Sequence, residues 1–378
     1  MKLQIPQELV DKIIDEIHES PSSLQSCALV AHSFLSQSQM HLFARMELKE
    51  NSPSSPRRFS DLISASPHLA LHVRSLDLEC HSENWESVSP ILSAVSRLTH
   101  LKLVAMKSLY FEPQLPPARA PFPTPFSFSS LRSIELRHYE FHDVDQFRSL
   151  LINVVGLESL ELTNIVFAHP SMRPAAPRIE PPKAVLSTLN LYNMGRATVT
   201  SIMDALDIKH IKTLFVYDTP ISPILRRNAS SLTNIQISVI EIGSVQFIFD
   251  THIQAMSDAF DAAGPVVLAG LKSLSLDPYI ASSLPHLFSH FGGLQCLPNL
   301  ENVTVSFGHS SEHTYIYPNS WRNFDAMLRV LVEGGSLKTV KVYIGYTDVA
   351  LPAQLRAWMP SSDAAGVLSI VTPQDFYV

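Results

Sequence analysis

Leu157-Glu158-Ser159-Leu160-Glu161-Leu162 places apolar residues at its first, fourth and sixth positions, with small or charged residues between them. The fourth and sixth alternate with polar neighbours as a half-buried strand requires, and the first sits where the chain runs into that strand. A single occurrence would carry no information, but ten copies follow one another along this chain. They begin at Val73 (VRSLDL), Leu98 (LTHLKL), Leu131 (LRSIEL), Leu157 (LESLEL), Leu186 (LSTLNL), Ile211 (IKTLFV), Leu232 (LTNIQI), Leu271 (LKSLSL), Leu300 (LENVTV) and Leu337 (LKTVKV). Counted at the fourth position, they stand 25, 33, 26, 29, 25, 21, 39, 29 and 37 residues apart.

Leucine-rich repeats recur at roughly 20–29 residues, so about half of these intervals fit and the others carry insertions. One such unit cannot bury its own apolar edge, whereas stacked neighbours share a continuous core. The expected fold is therefore an α/β leucine-rich-repeat solenoid of about ten irregular repeats over residues 73–378. Parallel strands should line its concave face, with helices and loops on the convex side. Apolar spacing of three and four marks helical returns at Val88 to Leu98, around Phe147 and Leu151, around Ile202 and Leu206, around Phe324 and Leu328, and over Val245 to Phe260. Two returns differ. Residues 111–125 hold six prolines and 170–182 hold five, which breaks helices and predicts extended surface loops. Regular repeats of this type also carry Asn or Cys three residues after the second strand leucine. Here His81, Met106, Tyr139, Ile165, Met194 and Thr219 stand there, so that side-chain ladder is missing and irregular curvature is expected.

Composition narrows the function classes. With 46% hydrophobic and 17% charged residues the chain is a folding sequence and not a disordered one. A net charge of −7 leaves no basic face to displace counterions from nucleic acid. Cys27, Cys80 and Cys296 are widely separated, odd in number and free of zinc-ligand spacing, which suits a reducing compartment. The N-terminal residues lack the apolar core of a secretion signal, and no run of about 18 apolar residues is present to span a membrane. A soluble protein of the cytoplasm or nucleus is the expectation.

Residues 5–48 stand outside the repeat. Ile5-Pro6-Gln7-Glu8-Leu9 opens a helical pattern continued by Ile13, Ile14 and Ile17, with Pro6 and Glu8 both suited to a first turn. A second pattern runs from Ser23-Leu24 through Cys27-Ala28-Leu29-Val30, and a third through Phe34, Leu35, Met40, Leu42 and Phe43. Three short helices with an apolar surplus predict burial against something else. A Pro/Ser linker and a short helix around Phe59, Leu62 and Ile63 then occupy 49–72.

Ile5-Pro6-Gln7-Glu8-Leu9, Ile13-Ile14, Leu24 and Cys27-Ala28-Leu29-Val30-Ala31-His32-Ser33-Phe34 together resemble an F-box. Ile5 takes the place of the family's usual Leu, Ser23 that of an acidic residue, His32 that of Lys or Arg, and Phe34 that of Trp. The downstream Met40-His41-Leu42-Phe43-Ala44-Arg45 and Ser66-Pro67-His68-Leu69 extend the likeness to F-box and leucine-rich-repeat proteins of the kind numerous in mushroom-forming fungi. The resemblance implies a small all-α F-box at 1–48 and a substrate receptor of a cullin-type (SCF) ubiquitin ligase. In that role the F-box docks on a Skp-family adaptor, and through it a cullin, while the repeats hold a target protein. No catalytic group, cofactor or metal is implied in the chain itself. Carried over, Pro6, Leu9, Ile13, Leu29 and Val30 are the adaptor-binding positions. The alternative is a binding scaffold in which 5–48 only caps the repeat array.

Motif chemistry adds little. His309-Ser310-Ser311-Glu312-His313 matches the H-x-x-E-H string of inverted zinc peptidases, which requires both histidines one turn apart on a helix. It follows a repeat strand and Gly308 and precedes Tyr315-Ile316-Tyr317-Pro318, so a loop is expected and a zinc hydrolase is a remote reading. Strand alternation instead points Tyr192, Phe215 and Tyr217, from adjacent copies, onto one surface as candidate anchors for a target. Asp77, Glu79, Lys102, Glu135, Arg137 and Glu161 should form a mixed-charge rim beside them.

Overall fold

The computed structural model describes residues 5–49, 55–80, 85–105, 118–119, 126, 128–169, 186–206, 208–217, 219, 222–238, 267–276, 297–307, 318–344 and 350–372. The chain divides into two compact units, Met1–Val185 and Leu186–Val378.

The first unit opens with three helices, α1 (Gln7–Glu16), α2 (Pro21–Val30) and α3 (His32–Ala44). α3 runs directly into β1 (Arg45–Lys49). Helix α4 (Pro56–Ala65), capped by the Ser55 hydroxyl, and a short 3-10 turn lead to β2 (Ser75–Cys80). Then come α5 (Trp85–Ala94), β3 (His100–Ala105), β4 (Ala118–Arg119), β5 (Ser133–Arg137), β6 (Tyr139–Phe141), α6 (Val144–Leu151), β7 (Ser159–Thr163) and β8 (Val166–Phe167). Strands β1, β2, β3, β5 and β7 pair in that order, all parallel, in one sheet. Strands β4, β6 and β8 form a second parallel set.

The second unit repeats the plan with β9 (Thr188–Tyr192), α7 (Arg196–Leu206), β10 (Thr213–Tyr217), α8 (Ser222–Asn228), β11 (Asn234–Ser238), β12 (Ser273–Leu276) and β13 (Asn302–Phe307). It ends with α9 (Pro318–Glu333), β14 (Thr339–Ile344), α10 (Leu351–Trp358), α11 (Pro360–Ala364) and β15 (Leu368–Val371). Its seven strands pair in chain order, again all parallel.

Register follows the repeated phrase. Fourth-position residues face one another from strand to strand, as in Leu76, Leu101, Ile134 and Leu160, or Leu189, Leu214, Ile235, Leu274, Val303 and Val340. All three apolar positions of every copy are buried. At about 1.5–3 kcal/mol for each fully buried aliphatic side chain, this stack is the main source of cohesion. The second position serves the backbone. The Arg74 carbonyl accepts from both Thr99 N and His100 N, Thr99 O accepts from Arg132 N and Ser133 N, and the same fork recurs at Lys212, Thr233, Lys272 and Glu301.

Two strands lie beyond the ten copies. β1 pairs Met46 with Leu76 and Leu48 with Leu78, and β15 pairs Leu368 with Val340. Phe43-Ala44-Arg45-Met46-Glu47-Leu48 and Ala365-Gly366-Val367-Leu368-Ser369-Ile370 are the same phrase with other apolar residues. The sheet of the first unit therefore begins inside the segment that the sequence assigned to the helices.

The turn after a strand takes a recurrent form in three copies. His138, Asn164 and Asn193, each two residues past the second strand leucine, have φ of 63°, 50° and 53°. Asn and His are among the non-glycine residues most tolerant of this region. One position later, where regular repeats carry Asn, Tyr139, Ile165 and Met194 are buried apolar residues. Thr219 does the hydrogen bonding instead: its buried hydroxyl accepts from Met194 N (3.2 Å) and donates to Tyr217 O (2.9 Å). Thr219→Val should cost about 1–2 kcal/mol, read as a lowered denaturation midpoint, because it removes the hydroxyl from both of these buried hydrogen bonds.

Candidate functional site

Helices α1 to α3 bury one set of apolar residues and leave another set in solvent. Val10 and Ile14 of α1 pack with Leu24 of α2, and Ile17, Cys27, Phe34 and Leu42 close around them. Across the helices Asp15 accepts hydrogen bonds from Gln37 and His41, both at 2.7 Å, and Gln7 donates to Ser33 O. The hydrogen bond from His41, then that from Gln37, holds the Asp15 carboxyl below its ordinary range.

With the inner side thus occupied, other large apolar residues remain in solvent. Leu9 and Ile13, one turn apart on α1, are 51% and 52% exposed, and Leu29 and Val30 at the end of α2 are 88% and 73% exposed. Ile5 is 62% exposed, and Pro6, also exposed, starts α1 by offering its carbonyl to Leu9 N and Val10 N. Six of the eleven exposed large hydrophobics among the described residues lie between Ile5 and Met40, so they concentrate in a stretch of about forty residues. The remaining five are scattered singly, as on any protein surface. The sequence reading omitted Ile5 and Met40 from the candidates; their positions beside Pro6 and on α3 were the available signal.

The outward face of β1, β2, β3, β5 and β7 carries the charges. Lys102 lies 3.2 Å from Asp77 and 3.6 Å from Glu135, while Arg137 pairs with Glu135 and, at 2.9 Å, with Glu161. Glu135 titrates above the ordinary carboxylate value near 4.5, because burial and then the neighbouring Glu161 outweigh Arg137 and Lys102. Burial works against the Lys102 ammonium, but Asp77 and Glu135 still raise it. A carboxyl whose folded-state value is raised contributes stability that is present below the unfolded value and lost as pH rises through the folded one. Glu135→Gln should therefore lose less than about 1 kcal/mol at pH 7. Relative to the variant, the native chain should gain stability as pH falls from neutral toward 4.5, a difference read by paired thermal melts.

Strands β9 and β10 bring the three candidate aromatics together. Tyr192 and Tyr217 are register partners, and the Tyr192 ring lies 5.2 Å from Phe215 and 6.0 Å from Tyr217, tilted by 34° and 46°. All three are half-buried. On either side of Phe215, in register, stand Asn190 and Gln236.

No group of three or more His, Cys, Asp or Glu able to hold a metal ion occurs among the described residues. His309, Glu312 and His313 lie outside them, as do most of the proline-rich segments and Val245 to Phe260. No described helix is long and apolar enough to cross a membrane. No protein-family model matches the chain, and no curated protein matches it.

Proposed function

We propose that the chain is a substrate receptor of a cullin-type ubiquitin ligase, an F-box followed by leucine-rich repeats. Helices α1 to α3 would dock on a Skp-family adaptor and the strand array would hold the target protein. The observation that carries this reading is the exposure of Leu9, Ile13, Leu29 and Val30 on a helical unit that has a separate buried core at Val10, Ile14 and Leu24. Uncovered apolar residues in such concentration mark a contact surface. In this role the chain supplies proximity between target and ubiquitin-loaded subunits, and no reacting group of its own.

A second reading has its own observation. Helix α3 continues without a break into β1, which pairs with β2, so the helices also close the end of a sheet. On that account they cap a binding scaffold, as terminal units of repeat arrays do. Co-purification of the full chain with a purified Skp-family adaptor decides between the two. A stable complex on size-exclusion chromatography is the expected result, and its absence removes the ligase reading in favour of the scaffold.

A further inference from the structure

We infer that the entry edge of the first unit's sheet binds an acidic, extended segment of a partner polypeptide, with Asp or Glu carboxylates of that segment lying along Arg45, Arg74 and Arg97. This goes beyond the adaptor-docking role and does not depend on it.

The first argument is where the charges stand. The chain has a net charge of −7, yet the starts of its first three strands are cationic. Arg45 opens β1, Arg74 directly precedes β2, and Arg97 leads into β3, which His100 opens. His68 and His72 lie in the 3-10 turn before β2. Backbone pairing holds this row together: Arg74 N donates to Ala44 O (3.0 Å), and Thr99 N donates to Arg74 O (2.8 Å). The three arginines therefore stand at the starts of neighbouring strands, whose backbones are about 4.8 Å apart. The carboxylates of this unit are set further along the strands, where Glu47, Asp77, Glu135 and Glu161 share one register row with Lys102.

The second is that no counter-charge answers them. Among the described residues no carboxylate pairs with Arg45, Arg74 or Arg97, and Arg45 and Arg97 are exposed. At the following strand start Arg132 does pair, 3.4 Å from Glu158, and the row ends there. Arg74 is held in place without a carboxylate, its Nη1 donating to Leu71 O at 3.2 Å and to Arg97 O at 3.3 Å. The half-buried His72 sits below the ordinary histidine value, first through burial and then through the charges of His68, Arg74 and Arg97. Like charges gathered in this way repel one another, and an anion laid along them removes the repulsion. Single charges on successive strands suit carboxylates spaced along an extended chain, each guanidinium fork matching one carboxylate, better than they suit one phosphate group. The acidic row beside the edge opposes a polyanion as broad as nucleic acid.

The test is fluorescence anisotropy of labelled octaglutamate titrated with the full chain, beside octalysine, octathymidylate and a Gly/Ser peptide carrying one phosphoserine. Octaglutamate should bind most tightly of the four, and its affinity should fall as salt rises, because the contacts are exposed ion pairs. Arg45→Glu with Arg97→Glu should weaken it by about tenfold or more. Arg45→Gln with Arg97→Gln should weaken it as well and leave the melting temperature of the free chain unchanged or raised, since repulsion is relieved; arginines that served only the fold would lower it. No binding of octaglutamate, equal affinity in the variants, tighter binding of the oligonucleotide or the phosphopeptide, or a melting temperature lowered in the glutamine variant would each overturn the inference. No adaptor enters this assay. Octaglutamate binding without an adaptor complex would therefore remove the ligase reading and keep this one, and an adaptor complex without octaglutamate binding would do the reverse.

Discussion

Asp325→Ala should lower the stability of the second unit by about 3–5 kcal/mol, the cost of uncovering buried hydrogen-bonding partners. Asp325 projects from α9 and is buried at the start of α11. Its Oδ2 accepts from Ser361 N at 2.8 Å, and its Oδ1 accepts from Ser362 N at 2.9 Å and from the Ser362 hydroxyl at 2.6 Å. One carboxylate thus satisfies two N–H groups of a helix start that lacks any capping side chain at Met359. Alanine takes the acceptor away from both N–H groups and from a fully buried hydroxyl. Asparagine keeps one acceptor oxygen and should cost roughly half as much, because the charge-assisted part is lost and the shape is kept. The melting temperature of Asp325→Ala should fall by roughly 10 °C. A fall of under about 2 °C would mean that α10 and α11 are held by their apolar contacts at Leu351 and Leu355 alone.

That cap could not be read from the sequence, because Asp325 and Ser362 are joined only by the fold. The strands could be, because a period-two pattern repeated at intervals near 20–29 residues leaves few other arrangements. Where the phrase keeps its leucines, position and register agree with the reading. β1 and β15 escaped it because Phe43, Met46 and Ala365 stand at their marker positions. The strands β4, β6 and β8 escaped it for another reason. Two or three residues carry no periodicity, and what makes Tyr139–Phe141 a strand is pairing with Ala118–Arg119 and Val166–Phe167 together with the packing of Phe141, Phe147 and Phe167. The left-handed turns at His138, Asn164 and Asn193 sit one residue before the place an asparagine ladder would occupy, so the asparagines at 164 and 193 answer to a conformational need that a pattern of apolar positions does not carry.

The candidate surfaces were legible to different depths. Alternation was enough to place Tyr192, Phe215 and Tyr217 on one face, since strand geometry alone decides which side chains share it. For Leu9, Ile13, Leu29 and Val30 the sequence offered helical spacing and a family likeness, and neither says which apolar residues face inward. Burial makes the division: Val10 and Ile14 are inside, while Leu9 and Ile13, one position before each, are outside.

That division makes the second large effect predictable. Leu9→Asp with Ile13→Asp should reduce adaptor binding by a factor of 100 or more, about 3 kcal/mol, because two apolar contacts are removed and two carboxylates must be desolvated in their place. Both side chains are more than half exposed, so the isolated chain loses little packing, and its melting temperature should move by no more than about 2 °C. The paired control is Val10→Asp with Ile14→Asp, one position further along the same helix and on its buried face. There two charges enter the core formed with Leu24, and the helical unit should unfold, abolishing binding together with the α-helical signal of the first unit. Loss of binding without loss of fold in the outer pair, set against loss of both in the inner pair, separates a docking surface from a structural cap. If the outer pair leaves adaptor binding intact, Leu9 and Ile13 are not the contact. If the outer pair instead unfolds the chain, these residues pack against the protein itself, and the cap reading takes over.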